Sequence, residues 1–149
     1  MKWVLSHQSD DHHKWLLHEA HEPVQLTYNL SNHSLRIKSK NNRLFFLEIT
    51  GFFQKKLLLR SEYGVVLGES SFTTTTKEGT LLMNELKYHF RIKNDQLSLS
   101  DKNKNLLSAV VIEPAVALDK QEAFALLFCQ AWLLNASMHA TKTKDLLVA

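Results

Sequence analysis

Three observations predict a mainly β protein, a closed antiparallel β-barrel of about ten to twelve short strands around a buried hydrophobic C-terminal α-helix. Val24-Gln25-Leu26-Thr27-Tyr28-Asn29-Leu30 alternates apolar and polar residues without a break, as a strand with one buried face must. Leu86-Lys87-Tyr88-His89-Phe90-Arg91-Ile92-Lys93 repeats that alternation, and turn chemistry separates it from similar runs on either side. The stretch from Ala123 to Leu134 is apolar in nearly every direction once wound on a helix, and in a chain of 149 residues only a closed shell can bury it on all sides.

The elements follow in order. Trp3-Val4-Leu5 and Lys14-Trp15-Leu16-Leu17 are weaker strands, and Val24 to Leu30 is a strong one. Ser31-Asn32-His33-Ser34 is a turn, because Asn tolerates the left-handed conformation and Ser caps backbone amides. Leu35-Arg36-Ile37-Lys38 alternates again, and Lys40-Asn41-Asn42 turns the chain. Arg43 to Ile49 and Phe52 to Arg60 are strands divided by Gly51. Ser61-Glu62-Tyr63-Gly64 is a turn before a short strand, Val65-Val66-Leu67. Thr73 to Thr76 reads as an edge or loop, and Thr80-Leu81-Leu82-Met83 as a strand. Leu97-Ser98-Leu99 and Leu106 to Ile112 complete the β region. The pattern breaks at Glu113-Pro114, and Asp119 and Glu122 place acidic residues in the first turn of a helix expected over 118–138. Residues 139–149 read as a loosely attached tail, and residues 1–149 as one domain.

Composition narrows the classes. Four glycines and two prolines exclude collagen-like and low-complexity chains, and one cysteine excludes a disulfide framework. Lys and Arg exceed Asp and Glu by 18 to 15, a net charge of +3, which favours anionic partners mildly. The N-terminal apolar run, Trp3-Val4-Leu5, is too short for a signal-peptide core, and no apolar stretch approaches the roughly 20 residues of a membrane span. A cytoplasmic protein with a reduced Cys129 is expected.

Three stretches resemble a known group. Arg43-Leu44-Phe45-Phe46-Leu47-Glu48-Ile49-Thr50-Gly51-Phe52-Phe53-Gln54-Lys55-Lys56 is similar to a strand–turn–strand of the tubby C-terminal superfamily, which includes the LURP-one-related proteins and phospholipid scramblases. Leu58 to Gly68 resembles a later strand–glycine–strand step, and Val110 to Leu134 resembles its last strand and core helix. The resemblance implies a barrel threaded by its C-terminal helix. It also implies binding of phosphoinositides through basic side chains, with no functional residue carried over individually.

Two side-chain sets are candidates for function. Outward positions on two strands carry Arg36 and Lys38, and Lys87, His89, Arg91 and Lys93. If the strands are neighbours, these cations form one face suited to an anionic membrane surface. Base-stacking aromatics are missing from it, because Tyr88 and Phe90 alternate inward, which argues against nucleic acid. His12, His13, His18 and His21 are an alternative, metal-binding set, since imidazole ligates zinc or nickel. Against it, His12 and His13 are adjacent and must point to opposite faces of a strand. No nucleophile elbow, phosphate loop or paired-carboxylate motif is visible. The expectation is a non-enzymatic binding or scaffold module without a cofactor, its partner a protein or an anionic membrane, its oligomeric state open.

Overall fold

The computed structural model describes the backbone of residues 1–18, 22–51, 55–72, 77–93, 95–114 and 119–148, and the side chains of all these but 55, 72, 120 and 137–148. Eleven strands are formed: β1 Lys2–Gln8, β2 His12–His18, β3 Val24–Asn29, β4 Ser34–Lys38, β5 Asn42–Thr50, β6 Lys55–Ser61, β7 Val66–Phe72, β8 Glu78–Met83, β9 Leu86–Lys93, β10 Gln96–Ser100 and β11 Leu106–Glu113. One helix, α1, spans Lys120–Val148.

Each strand pairs with its neighbours in the chain, and β1 pairs with β11 to close the barrel. The closing pair is parallel, with Lys2 opposite Val111, Trp3 opposite Ile112 and Val4 opposite Glu113. All other pairs are antiparallel. The barrel is the closed, predominantly antiparallel one that the sequence predicts, with one parallel seam, and the reason for the seam is parity. In an up-and-down meander of eleven strands the first and last run the same way. Closure leaves no exposed edge.

Burial follows the alternation that defined the strands. Val24, Leu26 and Tyr28 face inward on β3, Leu35 and Ile37 on β4, and Tyr88 and Phe90 on β9. The interior is filled by α1, whose residues from Glu122 to Ala131 are buried without exception. A helix so enclosed has no solvent side, which is why its apolar residues show no stripe. Phe124 meets Phe90 edge-on at 5.2 Å, and Trp132 meets Phe45 at 5.8 Å.

The wall comes close to the helix at Gly68. A Cβ there would lie 2.8 Å from the Leu82 carbonyl oxygen and 3.0 Å from Phe128 Cε1. This contact explains a strand that sequence pattern truncated at Leu67. β7 continues through Gly68-Glu69-Ser70-Ser71, where the inward positions are the small Gly68 and Ser70 in place of an apolar alternation.

Trp3 and Trp15 are fully buried core residues. Their indole N–H groups, otherwise costly inside, donate to Gln130 and Glu122 of the helix at 3.1 and 3.2 Å. The helix backbone extends past 138 to Val148, while the attachment of the tail's side chains lies outside the described residues. Thr73–Thr76 and residues 52–54 also lie outside them.

Candidate functional site

Because α1 occupies the interior, ligand-sized concavities among the described residues lie on the outer wall. Inside, polar side chains of the helix bond to the wall. Gln130 accepts from Trp3 and donates to Ser108 Oγ at 3.2 Å and to the Leu97 carbonyl at 3.4 Å. Asn135 donates to the Met83 carbonyl at 3.3 Å.

The basic residues do not form one face. β4 and β9 stand five steps apart one way round the barrel and six the other way. Arg36 and Lys38 therefore point away from Lys87, His89, Arg91 and Lys93, and the single cationic face expected from the sequence resolves into two opposite ones. The cause is the meander itself, which spreads strands around the barrel in chain order.

The β9 side carries more charge and a larger groove. Cross-strand register sets Glu78, Arg91 and Ser98 in one outward row and Thr80, His89 and Ser100 in the next. These residues line a groove of about 640 Å³, with Lys104 and Leu106 at one end. Arg91 Nε is 2.9 Å from Glu78 Oε1. Three hydroxyls beside three basic side chains form a donor-rich surface, the chemistry that oxyanions require. On the β4 side, Arg36 shares a smaller groove of about 230 Å³ with His12, Asn29 and Asn32, and Lys38 lines a separate one of about 450 Å³ with Lys40 and Glu22.

Lys104 is placed by its turn. Asp101 accepts hydrogen bonds from the backbone N–H groups of Asn103 and Asn105, both at 2.9 Å, and from Asn105 Nδ2 at 3.2 Å. These bonds, that from the Asn105 backbone first, hold the Asp101 carboxyl below the usual carboxylate range. The turn thus loses support as pH falls through that lowered value and keeps it above the ordinary one. It holds Lys104 at φ 63°, a left-handed conformation that lysine rarely adopts.

The N-terminal histidines separate. His12 points outward, its Nδ1 2.8 Å from Asp11 Oδ1 and its Nε2 3.2 Å from Asn29 Nδ2. His13 points inward, as adjacency on a strand demands. His18 is exposed at the far end of β2, and His21 lies outside the described residues. Among the described residues, no three His, Cys, Asp or Glu side chains are grouped to hold a metal ion.

His13 instead belongs to a polar cluster that sequence reasoning missed, at the barrel end where α1 enters. His13 Nδ1 and Trp15 Nε1 both meet the Glu122 carboxylate, which is buried. The Tyr28 hydroxyl is 2.9 Å from His33 Nδ1 and 3.5 Å from Gln121 Oε1. Burial, reinforced by the charges of Asp119 and Glu122, pushes the Tyr28 phenol up. This cluster ties the first turn of the helix to β2 and β3. The available signal was Glu122 itself, a carboxylate at the head of an all-buried helix that required partners.

No protein-family model matches this chain, and comparisons with curated proteins and with solved structures likewise found no match. Among the described residues, no helix is long and apolar enough to cross a membrane.

Proposed function

We propose that this protein is a non-catalytic binding module of tubby-like architecture that docks on an anionic phospholipid surface through the outer wall of β8, β9 and β10. The observation that carries this reading is the groove in which His89, Arg91 and Lys104 stand beside Thr80, Ser98 and Ser100. A filled interior supports it as well, because recognition must then use the outside. The net charge of +3 has the right sign. Support for the tubby-like assignment is architectural: a closed meander around a hydrophobic C-terminal helix. Non-catalysis is inferred from the absence of a catalytic motif in the sequence.

The two opposite faces supply an internal control. Flotation with vesicles, neutral or phosphoinositide-containing, over a salt series is expected to show binding only to the anionic ones, weakening as salt rises. Arg91→Glu/Lys104→Glu and Arg36→Glu/Lys38→Glu change the net charge equally. At about 1 kcal/mol per cation near the surface, removing the first pair weakens binding by about thirtyfold or more, while the second pair has little effect. Equal losses from both pairs would mean diffuse charge attraction, and no flotation would remove the membrane reading.

A further inference from the structure

We infer that Glu78 is a built-in competitor for the anionic ligand of the β8–β10 groove, a carboxylate that holds Arg91 until a phosphate monoester displaces it. This inference rests on the groove reading above and concerns how that same site is regulated.

The groove holds one side chain of the wrong charge. Its polar lining otherwise consists of groups with an N–H or O–H to offer an oxyanion, the cations Arg91 and Lys104 foremost. Glu78 can only accept, and it carries the ligand's own sign. Of the basic side chains in the groove, Arg91 is the one it engages.

Register fixes this contact. Glu78 lies directly opposite Arg91 on the β8–β9 ladder, where outward side chains are neighbours. Its Oε1 is 2.9 Å from Arg91 Nε, a hydrogen-bond distance. The carboxylate therefore stands where an oxyanion on this guanidinium would stand. It occupies the basic group whose planar fork matches phosphate best.

The contact is weak enough to be displaced. The Arg91 and Glu78 side chains are 53% and 62% exposed, and water screens a pair so open to it. A phosphate monoester brings a charge approaching about −2 and three acceptor oxygens to share between Arg91 and Lys104. Glu78 brings a single charge and is tethered to its own strand. A ligand carboxylate or a phosphodiester, also singly charged, gains little at Arg91 over the carboxylate already there.

The test uses the full chain and two probes, phosphatidylcholine vesicles carrying a phosphatidylinositol monophosphate and soluble inositol trisphosphate. Glu78→Gln keeps the side chain's size and removes its charge. It is expected to strengthen binding of both probes by about fivefold, the scale of one charge contact at the surface. Glu48→Gln is the control, since it changes the net charge equally and frees Arg60 from a carboxylate, but lies three strands from β8. At that distance screening holds its gain below about twofold. In an Arg91→Gln background most of the gain from Glu78→Gln should vanish, because no guanidinium is left to release. A parent that floats, with a Glu78→Gln gain no larger than that of Glu48→Gln, would overturn the competition and leave groove binding intact. Weaker binding by Glu78→Gln would also overturn it, since Glu78 would then orient Arg91 for the ligand. A parent that floats on no vesicle, with inositol trisphosphate still tightened by Glu78→Gln, would remove the membrane and keep the competition. No binding of either probe by parent or variant would overturn both.

Discussion

Leu127→Asp is expected to abolish the fold. Leu127 is fully buried on a helix surrounded by wall. The change removes a packed side chain, a loss of about 2–5 kcal/mol on its own. It also places a carboxylate where no cation can reach it, adding several kcal/mol at neutral pH. Together these approach the whole stability of a typical domain, about 5–15 kcal/mol. Circular dichroism should show loss of the cooperative melt. A melt within a few degrees of the parent would place the helix at the periphery.

Gln130→Leu is the second large effect, though it adds apolar surface to an apolar core. Gln130 is buried and serves Trp3, Ser108 and the Leu97 carbonyl together. Leucine fills similar space and abandons all three. The Ser108 hydroxyl oxygen and the Leu97 carbonyl each lose a donor, and the Trp3 N–H, fixed in a fully buried ring, loses its acceptor. Each buried unsatisfied group costs about 1–3 kcal/mol, so a loss of about 3 kcal/mol follows. For a chain of this size that lowers Tm by roughly 6–12 °C. In a Trp3→Phe background the same change should cost about 1 kcal/mol less, since the orphaned donor is gone. A neutral single variant would show that the network contributes nothing.

The two effects mark where pattern in the sequence was informative. The barrel was legible because period-two alternation reports a one-sided wall, and the helix because an all-apolar helix demands enclosure. Both are local properties, readable from Val24–Asn29 or Ala123–Leu134 alone. Parallel closure was not legible, since it depends on whether the strand count is odd, and the alternation left that count between ten and twelve. Gly68 is small because Phe128 is near, a distance of sixty residues along the chain that no window spans.

The candidate site was legible in part. Lys87, His89, Arg91 and Lys93 point outward as alternation required. Their separation from Arg36 and Lys38 is a property of strand order, which alternation does not carry. Lys104 was overlooked because it lies in a polar turn, and its role comes from the Asp101 bonds that hold its backbone. His13 was grouped with His12, although strand geometry sends one ring to Glu122 inside and the other to Asp11 outside.

The account rests on one claim, that α1 fills the barrel and leaves recognition to the outer wall. Cys129 tests it most directly, because this thiol sits within the enclosed segment and burial pushes its pKa up. Labelling with a thiol-reactive probe at pH 8, native and in denaturant, should show native protection of about a thousandfold or more, set by global opening. Labelling of the native protein at the rate of an unstructured cysteine would contradict the account, since the helix would then lie outside and the barrel would have room for a ligand within.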